Sequence, residues 1–253
     1  MLLYYIRHGD PIYEPDGLTP LGYEQAESIA YRLALFGVDE LYSSTSNRAI
    51  ETAKATANIL GREIHTLDFL NENYLKGLQI PVSDTQYDWV WADPKYSQIL
   101  AGSDVRALGD AWYSHPSLER FHFENIIEPI NRQLDSFLES LGYEHDTDKG
   151  LYKITTSNRE KRVAIFAHEC MGKIVMSHLL DIPFPSYSLH FEMHTSGFTV
   201  IKFDDNAFCD DRFDANDTRD YARARVLTLS NDAHLYRDGI SLKHRFTHLR
   251  EDY

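Results

Sequence analysis

Arg7-His8-Gly9 follows directly on an apolar and aromatic run, Leu2 to Ile6, and His168 follows directly on a second such run, Val163 to Ala167. Short runs of this kind read as strands buried on both faces. In an open α/β sheet, ligands bind in the crevice beyond the carboxyl ends of the strands, and Gly9 would let the backbone turn sharply there. Arg48 falls in the first turn of an expected helix, beside backbone N–H groups with no partner inside the helix, a place suited to an anion. Taken alone, Arg7-His8 reads as a surface or structural pair. Two histidines and two arginines, all at strand ends or helix starts, form a small cationic pocket if they converge. Phosphate is its natural occupant.

Such a pocket would have to work against the field of the whole molecule. The 253 residues carry 25 Lys+Arg against 39 Asp+Glu, a formal charge of −14. That balance repels phosphate backbones at long range and excludes nucleic acid as a main partner, so a phosphorylated ligand needs a local basic site. Hydrophobic residues make up 43% and aromatics 13%, spread from end to end, which excludes a mostly disordered chain. Cys170 and Cys209 suggest neither a disulfide framework nor a zinc site and fit a reducing, cytoplasmic setting. No stretch approaches the roughly 18 apolar residues of a membrane helix, and Leu2 to Ile6 is too short for a signal-peptide core. No convincing metal-ligand cluster is visible, and His190 and His194 read as structural.

The elements that must carry these residues are also legible. Thr19-Pro20 reads as a cap and first helical turn, with Ala26, Ile29, Ala30 and Leu33 on one face and Gly37 as the stop. Asp39 to Ser43 reads as a second strand. Ser44-Thr45-Ser46 then offers caps for a helix with Ala49, Ala53, Ala57 and Leu60 on one side, ending at Gly61. Strand, helix, strand, helix implies an α/β fold: a three-layer α/β/α sandwich with a mostly parallel central sheet. The pattern predicts a single domain over residues 1–253, with a helical and irregular insertion at about 74–160 covering one end of the sheet. That stretch holds Tyr87, Trp89, Trp91, Tyr96, Trp112, Tyr113, Phe121 and Phe123, expected to form mostly a small core, then a helix through Ile126, Pro129, Ile130, Leu134, Phe137 and Leu141 up to Gly142. Further on, the pattern predicts a helix through Ile174 and His178, a strand at 197–203, a solvated acidic loop at 204–221 that includes Cys209, and a strand at 226–229. The tail bearing Arg237, Lys243, Arg245 and Arg250 reads as a solvated face.

The order Arg7-His8-Gly9, Leu18-Thr19 with Gly22 and Gln25-Ala26, Ser43-Ser44 with Arg48-Ala49 and Glu51-Thr52-Ala53, Asn71-Glu72, and a strand ending at His168 resembles the histidine phosphatase superfamily. Within it, the chain is similar to the branch of the cofactor-dependent phosphoglycerate mutases and fructose-2,6-bisphosphatase. The resemblance covers residues 1–73 and about 163–203. It implies two-step phosphoryl transfer through a phosphohistidine, with His8 as nucleophile and Arg7, Arg48 and His168 binding the phosphoryl oxygens. Neither a metal nor a cofactor is called for. A carboxyl group must serve as acid and base; the resemblance points first to Glu72 and, by analogy with the acid-phosphatase branch, second to Glu169, which is equally readable as a pocket wall.

The chain departs from the mutase pattern in several places. Glu169-Cys170 stands where the mutases carry Gly-Asn, and Asp10-Pro11 follows the first motif. An anionic group at 169 discourages a second phosphate or a carboxylate nearby. Asp10 could orient a substrate hydroxyl or a pocket arginine, or simply cap a turn. The expectation is therefore a metal-independent phosphomonoesterase acting on a small phosphorylated metabolite. A phosphoglycerate mutase and a non-catalytic binder of a phosphorylated ligand are the alternatives. The natural substrate, and the oligomeric state, are not encoded in these motifs.

Overall fold

The computed structural model describes residues 1–84, 86–204 and 220–241. The chain begins with β1 (Leu2–Arg7), a hairpin of β2 (Pro11–Tyr13) and β3 (Asp16–Leu18), α1 (Pro20–Phe36), β4 (Glu40–Ser43), α2 (Asn47–Leu60) and β5 (Ile64–Thr66). Next come two 3-10 turns at Asp68–Leu70 and Glu72–Leu78, then β6 (Gln79–Pro81), β7 (Tyr87–Trp89), α3 (Pro94–Leu100) and α4 (Ser103–Ala107). Two more 3-10 turns, Gly109–Ser114 and Glu119–Phe121, lead to α5 (Phe123–Ser140), β8 (Tyr143–Asp146), β9 (Leu151–Ile154) and β10 (Arg162–Ala167). The remainder is α6 (Glu169–Leu179), α7 (Phe184–His190), β11 (Phe198–Asp204), β12 (Tyr221–Asn231) and α8 (Ala233–Asp238).

Eight strands form one sheet in the order β5-β4-β10-β1-β11-β12-β9-β8. The half from β5 to β1 is parallel, and the pairs from β1 outward through β11, β12, β9 and β8 are antiparallel. Alternation along the central strands explains why they are apolar throughout. Tyr4, Ile6, Ala164 and Phe166 point into a core shared with Ile29 and Leu33 of α1 and Ala53 and Ala57 of α2. Leu3, Tyr5, Val163, Ile165 and Ala167 point into a larger core shared with α5 and α6. Both faces are covered, so the layers are α/β/α.

The predicted helix boundaries follow from local chemistry. The Thr19 hydroxyl accepts the Gly22 N–H at the start of α1, and the Gly37 N–H closes its end on the Leu33 carbonyl. Gly61 ends α2 in the left-handed conformation. Three features differ from the sequence reading. The aromatics of the middle do not make a separate small core: Trp91, Tyr96, Trp112, Phe121 and Phe123 lie in the larger core together with Leu3 and Tyr5 of β1. Residues 143–154 form a hairpin, β8–β9, that extends the central sheet, rather than part of a cover. The β2–β3 hairpin carries no apolar run and was invisible in the pattern. Cys209, Lys243, Arg245, Arg250 and most of the acidic loop lie outside the described residues, among which no helix is long and apolar enough to cross a membrane.

Two glycines place the loop after β1. A Cβ on Gly9 would come 2.5 Å from the Gly22 carbonyl oxygen, and one on Gly22 would overlap the Asp10 carbonyl oxygen. Backbone therefore lies on backbone between the β1 exit and the first turn of α1. Gly22→Ala should lower stability by about 1–3 kcal/mol, because neither side of the contact is a movable side chain. The denaturant midpoint measures this, and an unchanged midpoint would show that the contact can relax without cost.

Candidate active site

Parallel pairing sets Arg7 of β1 opposite Ala167 of β10, so His8 and His168 leave the sheet side by side. Their ring centroids are 5.2 Å apart and both rings are buried. The His8 Nδ1 lies 2.7 Å from the Gly9 carbonyl oxygen, to which it can only donate. That choice leaves Nε2 as a bare acceptor, and the Arg48 Nε donates to it at 3.3 Å. The loop is held in turn by Thr52, whose hydroxyl accepts the Gly9 N–H, and by Gln25, whose side-chain oxygen accepts the Asp10 N–H.

His168 is held from the other side. Its Nε2 lies 2.9 Å from the Ser44 hydroxyl and 3.1 Å from that of Ser46, and the Tyr5 hydroxyl donates to its carbonyl at 2.8 Å. Its Nδ1 is buried, has no hydrogen-bond partner, and stands 3.9 Å from Glu72 Oε2. Ser46 is the N-cap residue of α2, yet its hydroxyl makes no capping bond. The Asn47 N–H in the first turn of α2 instead donates to Asp16, which also takes Arg48 Nη1 at 2.7 Å.

Glu72 and Glu169 part company here. The Glu72 carboxylate accepts the Cys170 N–H at 3.2 Å and meets Arg48 Nη2 at 3.4 Å, which puts it between the α6 N-terminus, His168 and Arg48. Burial raises its pKa, against the opposing pull of Arg48 and Arg7. Glu169 is also buried, which acts in the same direction, but its ion pair with Lys173 at 3.0 Å outweighs that and holds it ionised. Lys173 also reaches Glu192 at 3.2 Å. Asp10 faces the cleft, with its carboxylate accepting the Thr19 hydroxyl at 2.7 Å. Of its two sequence readings, the turn-fastening one has a partner in the structure.

Burial, reinforced by Arg7 and Arg48, pushes the His8 pKa well below its ordinary value. His168 is lowered in the same way, by burial first and then by His8 and the two arginines. The open cleft above these groups has a volume of about 1040 Å³. Arg7, Arg48, Glu72, Lys76, Glu169 and Trp89 are among the residues that line it. Arg7 Nη1 donates to the Met193 carbonyl at 2.5 Å, which fixes the guanidinium. The structure thus brings together all seven residues expected from sequence. Sequence reasoning missed Ser44 and Ser46 as partners of His168, Asp16, and the buried Lys173, of which only Lys173 left a signal, four residues after Glu169.

Residues 3–110 match the family model of the histidine phosphatase superfamily, branch 1. This match spans less than half of the chain, and over it the chain is similar to that superfamily. Its relatives include a protein from Hydrogenobacter thermophilus named as a putative phosphoserine phosphatase 2, 26% identical over 152 residues, spanning 56% of this chain and 68% of the relative. The fold is shared with the phosphoserine phosphatase of Entamoeba histolytica, solved with 3-phosphoglyceric acid, at a TM-score of 0.57 and 20% identity, covering 92% of this chain and 98% of that one. A mycobacterial glucosyl-3-phosphoglycerate phosphatase, solved with inorganic phosphate, gives a TM-score of 0.56 at 17% identity, covering 92% and 98%.

The lowered pKa values make a direct prediction. In the free protein His8 and His168 should both remain neutral at pH 6, where an exposed histidine with a pKa of about 6.5 is mostly charged. Imidazole nitrogen shifts in an NMR titration report this, and protonation of either ring above pH 6 would contradict the burial argument.

Proposed function

We propose that this chain is a member of the histidine phosphatase superfamily and a metal-independent phosphomonoesterase that hydrolyses a small phosphorylated metabolite through a phosphohistidine on His8. The observation that carries this reading is the tautomer of His8: with Nδ1–H on the Gly9 carbonyl, Nε2 keeps its lone pair beside Arg48, and the His168 ring lies 5.2 Å away, centroid to centroid.

In the first step His8 Nε2 attacks phosphorus as the ester P–O bond breaks, and the leaving oxygen takes a proton from the Glu72 carboxyl group. Arg7, Arg48 and the Nδ1–H of His168 take up the charge that spreads over the phosphoryl oxygens. This step uses the His168 tautomer in which Nε2 accepts from a serine hydroxyl, Ser44 being the nearer, and Nδ1, the atom without a partner, carries the proton. In the second step a water gives its proton to the Glu72 carboxylate and attacks phosphorus, the P–N bond breaks, and inorganic phosphate forms. Burial suits Glu72 to the first role, because a carboxyl group that retains its proton nearer neutrality is the better acid. Glu169, engaged by Lys173, serves as an anionic wall. With Glu192, Asp16 and Asp88 it adds acidic groups to the cleft lining and favours substrates with one phosphate and a neutral or cationic remainder.

The test is a screen of phosphorylated metabolites, including sugar phosphates, nucleotides and phosphoamino acids, with release of phosphate as the readout. Phosphoserine enters first, because two of the similar proteins are named for it. His8→Ala should abolish turnover while phosphate binding persists in part. If turnover continues, His8 is not the nucleophile. When 3-phosphoglycerate is supplied with bisphosphoglycerate, phosphate should accumulate; appearance of the isomer would favour the mutase reading.

Glu72→Gln should lower kcat by about 10²–10⁴-fold, the usual size of a general acid–base contribution. Because the acid must be protonated in the first step, the wild-type rate should fall as pH rises through the elevated Glu72 pKa, and this alkaline limb should vanish in the variant. A Glu169→Gln variant that reproduces the loss of the limb would transfer the role to Glu169.

A further inference from the structure

Asp135 of α5, His145 of β8 and His178 of α6 meet at the opposite end of α6 from His168, about 15 Å along the helix at 1.5 Å per residue. Asp135 Oδ1 lies 2.7 Å from His178 Nε2 and 3.2 Å from His145 Nδ1, and the two ring nitrogens are 3.4 Å apart. Two imidazole nitrogens and a carboxylate oxygen, all potential ligand atoms, therefore lie within 3.4 Å of one another. In a tetrahedral site with bonds of about 2.0–2.1 Å, neighbouring ligand atoms stand about 3.3 Å apart. The observed triangle is close to one face of such a tetrahedron, and the Asp135 side chain is partly exposed.

The surroundings match a metal centre in a second respect. His145 is almost fully buried, and its ring is stacked on Tyr152 at 4.5 Å and 13°. Its other nitrogen, Nε2, lies 3.3 Å from the Asp181 carboxylate. A carboxylate behind a ligating histidine fixes the tautomer and aims the free nitrogen, the usual arrangement behind zinc-bound imidazoles.

We infer that Asp135, His145 and His178 form a binding site for a divalent first-row transition metal, with Zn²⁺ the best fit to two imidazoles and one carboxylate. The ion would displace the proton on His145 Nδ1, which is released while the His145 Nε2–H stays on Asp181, and would take the lone pair of His178 Nε2 with that ring's single proton on Nδ1. Imidazole donors disfavour Mg²⁺ and Ca²⁺, which take oxygen ligands. The role is structural. The ion would join α5 and the sheet edge at β8 to α6, the helix whose other end follows His168, and turnover at His8 does not route through it. The sequence reading saw no metal-ligand cluster, because positions 135, 145 and 178 form no recognisable ligand spacing and are grouped only by the fold.

The experiment uses the tag-free full chain, stripped with a chelator and titrated with Zn²⁺ against a chromophoric competitor. One equivalent should bind with a Kd below about 1 µM, and saturation should raise Tm by about 5 °C. Cobalt in place of zinc should give the visible absorption of a four-coordinate ion. Asp181→Asn, which leaves all three ligands in place, should weaken binding about 10-fold. His178→Ala should abolish it while phosphatase turnover stays at the wild-type level, which also shows that the variant is folded. His8→Ala should leave the stoichiometry at one. Binding that survives both His178→Ala and Asp181→Asn, binding lost in His8→Ala, or no binding below about 100 µM would each overturn the proposal.

Discussion

Parallel pairing of β1 with β10, in the register that puts Arg7 beside Ala167, is the constraint on which the candidate site depends. Each strand buries alternate side chains in two different cores, with Leu3 and Tyr5 on one face and Tyr4 and Ile6 on the other. A slip of one residue would exchange the faces of an entire strand, so burial on both sides makes the register costly to change. Because the register holds, the residues that follow the two strands emerge at one level. The proximity of two imidazoles from segments 160 positions apart is thus a consequence of core packing, not of any local contact between them.

The same burial shapes the chemistry. An imidazole surrounded by protein and flanked by guanidiniums is a poor place for a further positive charge, so both histidines are held neutral. A nucleophile needs that state. The carboxylates respond in opposite directions to similar burial because their partners differ. Glu169 has a buried ammonium at 3.0 Å, whereas Glu72 meets Arg48 at 3.4 Å and must share that guanidinium with Asp16. A net charge of −14 does not prevent a local gathering of cations: Arg7, Arg48 and Lys76 line the same cleft as Asp16, Glu72 and Glu169.

Small residues set how closely the layers approach. Gly9 and Gly22 let the loop after β1 lie directly on the start of α1. On the opposite face, a Cβ at Gly172 would come 3.0 Å from the Tyr5 ring, so glycine there lets α6 settle on β1 closely enough for the Tyr5 hydroxyl to reach the His168 carbonyl. Helix position, strand register and the orientation of the second histidine are in this way mechanically linked.

Much of this was determined by the chain as written. Two-sided strands at 2–6 and 163–167, the Thr19-Pro20 cap, the glycine stops, and the placement of Arg7, His8, Arg48 and His168 at element ends are local matters, governed by side-chain period and backbone conformation, and they are readable without a fold. What tertiary structure alone decided are distances between remote segments. Whether Glu72 or Glu169 keeps its proton depends on Lys173, Cys170 and Arg48. Whether Asp10 fastens a turn depends on Thr19, and whether Ser46 caps a helix or holds an imidazole depends on His168. The aromatics of the middle joined the main core, and residues 143–154 joined the sheet, because the apolar surface and unpaired edge they met belong to strands far away in sequence. The convergence of 135, 145 and 178 has the same origin: a helix, a strand and another helix packed at one corner bring together side chains whose spacing along the chain carries no trace of it.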